Sequence, residues 1–264
     1  MLEIKNVYKT FNPGTINEKK ALNGLNLTLN NGDFVTVIGG NGAGKSTMLN
    51  MIAGVYPVDS GSIIIDGEDV TRLPEHKRAK YLGRVFQDPM MGTAADMWIE
   101  ENMALASRRG QRRGLKWAIN KAEREHFTKM LSELDLGLED RLSAKVGLLS
   151  GGQRQALTLL MAVMKKPKLL LLDEHTAALD PKTAAKVLAL SDKFIAEDKL
   201  TAMMITHNMK DAITYGNRLI MMNNGQIILD VSGEEKKKLT VEYLLEAFSK
   251  LSGAEFTNDR ALLN

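Results

Sequence analysis

The stretch Gly39-Gly-Asn-Gly-Ala-Gly-Lys45-Ser46-Thr47 limits the fold of this chain more than any other part of it. Its spacing is glycine, four residues, then Gly-Lys-Ser, with an apolar, β-rich run over residues 34–38 before it and a helical pattern from Lys45 to about Ala53 after it. Gly39, Asn41, Gly42, Ala43 and Gly44 would turn successive backbone N–H groups inward around an anion, in conformations that a Cβ would obstruct. The helix that begins there adds the positive end of its dipole. This predicts a polyphosphate site at the end of a buried strand, hence an α/β sheet. Lys45 is suited to the β- and γ-phosphates, the Ser46 hydroxyl to Mg²⁺, and Thr47 to the α-phosphate region. A glycine-rich turn with a chance lysine would not need a strand before it and a helix after it.

The rest of the chain supplies such a sheet. Residues 3–8 and 25–29 alternate apolar and polar positions as half-buried strands do, with residues 12–20 read as a loop between them. Further strands are predicted at 62–66, 84–86, 168–173, 201–206, 218–223 and 226–230, the last two around the turn Asn224-Gly225. Helices are predicted at 182–197 and 241–251, and residues 88–148 carry helical spacing with few strand patterns, as an insertion would. Strands that alternate with helices imply parallel pairing. A length of 264 residues, 44% apolar and 25% charged, suits one large α/β domain or two small ones.

Composition also excludes chemistry. With no cysteine, disulfides, thiolate metal sites and cysteine nucleophiles are ruled out. A net charge of +3 leans slightly towards anionic partners and does not indicate nucleic-acid binding. Residues 1–10 do not read as a signal peptide, and no apolar run approaches the ~20 residues of a membrane span. A role at a membrane would then require another chain to hold this one there.

Two further segments bear on phosphate chemistry. The apolar run ending in Asp173-Glu174 brings two acids to the end of a strand, where Asp173 can hold Mg²⁺ through water and Glu174 can point at a water in line with the γ-phosphate, as general base or orienting group. Taken alone, they could simply cap a strand before a turn. His207 ends another strand; by itself it reads as a structural histidine, but on the same sheet edge it could bond the γ-phosphate and sense its loss. Ser150 is a good N-cap with Gln153 at the third helical position, so a helix starts there with free N–H groups, a second anion-binding end.

Six elements in order make the chain resemble the ATP-binding cassette ATPases: the loop at Gly39, Gln87, Leu149-Ser150-Gly151-Gly152-Gln153, Asp173-Glu174, Ala178-Leu179-Asp180 and His207. The resemblance spans about residues 1–232. It implies an α/β P-loop NTPase cassette with a RecA-like core, an N-terminal antiparallel β subdomain and a helical subdomain inserted at about 88–155, with 233–264 as a short helical extension. It further implies that two copies face head to tail around two ATP molecules. Ser150, Gly151 and Gly152 would then contact the γ-phosphate of the opposite copy, with Gln153 close by. Gln87 would touch Mg²⁺ and the attacking water and couple the site to a membrane partner, and Asp180 would cross the dimer interface. Phe11 falls where the family stacks an aromatic on adenine; Tyr8 is the fallback, and apolar packing is the competing role for either.

The implied partners are a second copy, transmembrane permease subunits and an extracytoplasmic solute-binding protein, at the cytoplasmic face of the cell membrane, with no nucleic acid. The sequence looks like cassettes of branched-chain amino acid or sugar importers, so uptake of a small, amino-acid-like solute is the expectation. The alternatives are a non-transport cassette ATPase of DNA repair or translation, and an export or membrane-remodelling complex. One departure stands out: His175 follows Glu174 where the family most often has proline, which would stiffen the turn. It reads as a tolerated surface residue, with a pH-sensitive role as the other reading. Arg108, Arg109, Arg112, Arg113 and Lys116, beside Trp117, read as a solvated face, with lipid headgroups or nucleic acid as competing partners. Met161, Met164, Met203, Met204, Met221 and Met222 are expected in the core, and residues 234–238 in a solvated turn.

Overall fold

The computed structural model describes residues 1–111 and 119–252. In chain order its elements are β1 (Leu2–Phe11), β2 (Lys19–Leu29), β3 (Phe34–Ile38), α1 (Lys45–Ala53), β4 (Ser60–Ile65), β5 (Glu68–Asp69), α2 (Glu75–Arg78) and β6 (Leu82–Val85). Four helical segments follow: α3 (Ile99–Ser107), α4 (Lys121–Ser132), a 3₁₀ turn at Val146–Leu148 and α5 (Gly151–Val163). The chain closes with β7 (Leu169–Asp173), α6 (Pro181–Glu197), β8 (Thr201–Ile205), α7 (Met209–Thr214), β9 (Arg218–Asn223), β10 (Gln226–Ser232), α8 (Gly233–Lys237) and α9 (Val241–Ser252).

Two sheets result. The first, in the order β2-β1-β4-β5, is antiparallel throughout. The second runs β10-β9-β3-β8-β7-β6 and is parallel except for β10 at its edge. The strands β3, β7 and β8 are almost wholly apolar because both faces of this sheet are covered. Val35, Val37, Leu169, Leu171, Met203 and Ile205 face α1 and the first sheet, whereas Leu170, Leu172, Ala202 and Met204 face α5 and α6. Thr36, buried on the second face, satisfies its hydroxyl by donating to the Ala212 carbonyl (2.8 Å). Met161, Met203, Met204, Met221 and Met222 are buried as expected, and Met164 packs at the margin of the core.

Register brings the strand ends together. Val37 of β3 lies opposite Ile205 of β8, and Asp173 of β7 lies opposite the same residue. The phosphate loop, the acidic pair and His207 therefore leave one edge of one sheet. Behind the loop, Arg78 is fully buried and donates to the carbonyls of Met51 (2.6 Å) and Ile52 (2.9 Å), among the last of α1, and to those of Leu73 and Thr71. The Met51 carbonyl also accepts from the C-cap Gly54 N–H (3.2 Å), and the arginine adds to that cap, so Arg78 anchors the far end of the phosphate-loop helix.

Between β6 and β7 the described elements are helical only, as the spacing predicts. Ser150 caps α5 by a reciprocal box: Gln153 N–H donates to Ser150 Oγ and Ser150 N–H to Gln153 Oε1, both at 3.2 Å. Gly152 lies against α6, where a Cβ would stand 2.0 Å from Thr183 Cγ2. Its missing side chain is thus a packing requirement within one chain.

Several expectations change. β2 starts at Lys19, so part of the predicted loop is strand. The short elements β5, α2, α7 and α8 have no clear signature in the sequence because each is too brief for a period to show. His175 is not a surface residue: it is 1% exposed, and its Nε2 lies 2.9 Å from Ser191 Oγ of α6. Burial lowers its pKa to about 4, so the ring is neutral and structural at ordinary pH. Residues 234–238 are solvated except for Lys236, and they belong to the short helix α8 and its C-cap rather than to a turn. Lys236 is buried, its ammonium donates to the carbonyls of Tyr215 and Gly216 after α7, and burial lowers its pKa to about 8. In the basic stretch, Arg108 pairs with Glu123 (2.9 Å) and Arg109 donates to the Ala162 carbonyl (3.0 Å), so these two are structural rather than solvated. Arg112, Arg113, Lys116 and Trp117 lie outside the described residues.

Gly152→Ala is expected to cost about 1–3 kcal/mol by overpacking the α5–α6 contact. Adding Thr183→Ser, which removes the obstructing methyl, should restore much of that stability in a denaturant midpoint. For His175, the folded pKa lies below the unfolded value, so the unfolded chain binds the proton first and stability falls as pH drops from about 6.5 towards 4. The contribution is at most about 3 kcal/mol. Unfolding followed at pH 7 and pH 4.5 should show a smaller acid-induced loss in His175→Gln than in the parent.

Candidate nucleotide site

A cavity of about 250 Å³ opens at the sheet edge, lined by Phe11, Lys19, Ala21, residues 41–47, Glu174 and His207. The loop that forms its floor needs glycine at defined places. A Cβ on Gly39 (φ 150°) would lie 2.2 Å from the Met222 carbonyl, and one on Gly44 (φ 101°) would lie 2.6 Å from that of Ala21. Neighbouring strands thus hold the loop from behind, and within it the Ala43 N–H donates to the Gly40 carbonyl (3.2 Å). Lys45 is buried, and its ammonium donates to the carbonyls of Gly39 (2.6 Å) and Gly40 (3.1 Å). The Ser46 and Thr47 hydroxyl residues stand beside it on the wall.

Glu174 has a left-handed backbone, φ 46°, which is uncommon for a residue with a side chain. Its N–H donates to the Ile205 carbonyl at 3.0 Å, which fixes the turn. The turn brings Glu174 Oε1 to 2.6 Å from His207 Nε2, so the two side chains share the wall opposite the loop. Among the described residues eight non-glycine positions have a positive φ, and of these only Glu174 lines the cavity.

Asp173 sits deeper. Burial raises its pKa, and Arg84, with its guanidinium 3.7 Å from Asp173 Oδ2, acts in the opposite direction. Arg84 also donates to Asn50 Oδ1 of α1 (2.7 Å) and stacks over Phe86 at 4.4 Å. It therefore ties the acid of β7 to the phosphate-loop helix and to the strand that leads to Gln87. Sequence reasoning missed it, since an arginine in a four-residue strand carries no spacing signal. The oxygen donors expected to hold a metal, the Ser46 hydroxyl, the Gln87 amide and the Asp173 carboxylate, include a single carboxylate; of the three only Ser46 lines the cavity, and among the described residues no three acids or histidines gather as a cage. Hard oxygens in that small number suit Mg²⁺, which keeps waters and takes phosphate oxygens, and do not suit a metal bound by protein alone.

The structure thus gathers Phe11, Asn41, Gly42, Ala43, Gly44, Lys45, Ser46, Thr47, Glu174 and His207 around one space. Phe11 packs edge-on to Tyr56 (5.3 Å between centroids), while Tyr8 is not part of the wall. Gln87 is exposed and also stands apart from it. Asp180 caps α6, accepting from the Thr183 N–H at 3.1 Å, and Thr183 lowers its pKa. Ser150 and Gly151 are exposed at the start of α5 and do not line this cavity. Lys19 and Ala21 were missed: their part of the chain reads as loop and leads into a strand that only tertiary pairing places over the cavity.

Comparison with known proteins agrees with this geometry. The family model described as ABC transporter matches residues 22–177. The tyrosine transport ATP-binding protein of Clostridioides difficile is 46% identical over 253 residues, covering 94% of this chain and 98% of that protein. The spermidine/putrescine import ATP-binding protein PotA of Haemophilus influenzae is 35% identical over 237 residues, 89% of this chain and 59% of the longer relative. Among solved structures, the dimer of an ATP-binding cassette in a post-hydrolysis state bound to ADP and Pi superposes with a TM-score of 0.75 at 30% identity, over 88% of this chain and 98% of that one. With the family model matched over more than half its length, and a relative this similar along nearly all of it, the chain belongs to the ABC transporter family, as an ATP-binding cassette with ATPase activity.

Proposed function

We propose that this cassette energises the import of a small, amino-acid-like solute by hydrolysing ATP between two copies of itself. The observation that carries the hydrolytic part is the Glu174–His207 contact of 2.6 Å on the wall facing the Lys45 loop. With the triphosphate in the loop, Lys45 would exchange its two carbonyl acceptors for phosphate oxygens, and Phe11 would pack against the base. Glu174 would take the proton of a water directed at the γ-phosphorus, with His207 fixing the carboxylate and reaching the same phosphate. Ser46, Gln87 and Asp173 would hold Mg²⁺, which when bound neutralises charge on the phosphate oxygens.

The second anion-binding end belongs, in this reading, to the other copy. Ser150 and the exposed N-terminus of α5 lie away from the chain's own cavity, as they would if Ser150, Gly151, Gly152 and Gln153 served the partner's γ-phosphate. Asp180 would stand at the same interface. ATP then favours the closed pair because it contacts both halves, and ADP contacts one less well. A dimeric cassette among the structural relatives supports that arrangement.

Transport is favoured over DNA repair or translation by the names of the relatives, which are transport and import proteins. Among the described residues no helix is long and apolar enough to cross a membrane. In this reading separate permease subunits complete the transporter, with Gln87 and the helical segments between β6 and β7 as the coupling surface, and an extracytoplasmic receptor binds the solute. The tyrosine-transport relative makes an amino acid the first solute to test. The domain limits that go with this function are residues 1–232 for the cassette, about 88–155 for its helical insertion and 233–264 for the extension.

Glu174→Gln should keep ATP affinity within a few-fold while lowering turnover by roughly 10²–10⁴, the usual worth of a general base. ATP should then hold the variant as a dimer in size-exclusion chromatography. Near-normal steady-state turnover would remove Glu174 from the role assigned to it.

A further inference from the structure

The nucleotide cavity contains a cation that none of the family motifs accounts for. Lys19 opens β2 and pairs in register with Phe11 of β1. Cross-strand partners leave the same face of a sheet, and both side chains line the cavity. A Cβ built on Gly42 would lie 3.1 Å from Lys19 Nζ, so the ammonium stands directly over the phosphate loop.

The other charged groups nearby are engaged. Lys9, whose ammonium is 5.6 Å from the Phe11 ring centre, is bound to Asp59 at 2.8 Å. Glu18, next to Lys19 in the chain, accepts from the Gly14 N–H at 2.8 Å. Lys45 is held by the loop carbonyls. Among the described residues no hydrogen-bond acceptor or carboxylate pairs with the Lys19 ammonium. A lysine fixed at a strand pair, aimed into an anion site and free of any carboxylate has its counter-charge supplied by the ligand.

We propose that Lys19 is a nucleotide-binding residue whose ammonium meets the α- and β-phosphates from the solvent side of the loop. The position along the polyphosphate follows from the order of the wall. Phe11, the cross-strand partner of Lys19, marks the base end and Lys45 and Glu174 the γ-phosphate end; the ammonium, reaching Gly42 three residues before Lys45, is assigned to the phosphates between them. The inference rests on that reading of the two ends.

The test is calorimetric titration of the full chain with ATP, ADP and adenosine, comparing the parent with Lys19→Ala, Lys19→Arg and Lys45→Ala. In Lys19→Ala the dissociation constants for ATP and ADP should both rise roughly five- to tenfold, with adenosine unchanged, as expected for one charge-assisted contact at an exposed site. Lys19→Arg should stay within about twofold of the parent, and raising the salt should weaken the parent more than Lys19→Ala. Parent-like binding of ATP and ADP by Lys19→Ala would overturn the proposal. So would a loss confined to ATP, which would put the ammonium at the γ-phosphate, or an equal loss in Lys19→Arg, which would make the effect one of packing. Unchanged binding by Lys45→Ala would instead remove the phosphate-loop reading, and the proposal with it.

Discussion

The parallel pairing of β3 with β8, and of β8 with β7, is the constraint on which the remainder of the site depends. Because the three strands run the same way and are paired in register, everything that follows each of them emerges on one edge. The strands can be paired so only because both faces of the sheet are covered. One face carries α1 and the antiparallel sheet, the other α5 and α6. Without either layer, runs such as Leu-Leu-Leu-Leu in β7 would expose an apolar face to water. The chemistry is therefore held by packing that lies entirely behind it.

Polar groups in that packing are matched one to one. Arg78 takes the terminal carbonyls of α1, Lys236 those that follow α7, and His175 meets Ser191 beneath α6. Each of these side chains is buried and would cost several kcal/mol if left without a partner. Arg84 works closer to the cavity. One guanidinium reaches the phosphate-loop helix through Asn50, the acid at the end of β7 through Asp173 and the segment before Gln87 through Phe86. Three segments distant in the chain thereby share one rigid reference.

How much of this could be read in advance differed by type of residue. The phosphate loop, the strand ending in Asp173-Glu174 and the Ser150–Gln153 cap were legible because each depends on local order: glycine spacing, an apolar run with an acidic end, a capping pair three residues apart. The central strands were legible as short apolar runs, and α6 and α9 from their helical period. His175, Lys236, Arg78, Arg84 and Lys19 were not. A histidine after two acids at a strand end and a lysine within a charge run look exposed when only neighbours in sequence are considered. Their burial is decided by α6 and by the end of α7, which approach from elsewhere in the chain.

The sequence by itself determined the local features: a glycine-rich loop between a strand and a helix, two acids at the end of an apolar strand, and a second helix start with a capping pair. These are consequences of residue type at short separation, where the backbone leaves few choices. The tertiary structure alone decided which groups meet. It joined Glu174 to His207 across two strands, set Lys19 over Gly42 across two sheets, and kept Ser150 away from the cavity of its own chain. Those outcomes follow from strand register and from the order of strands in a sheet, and neither is a property of any local stretch of residues.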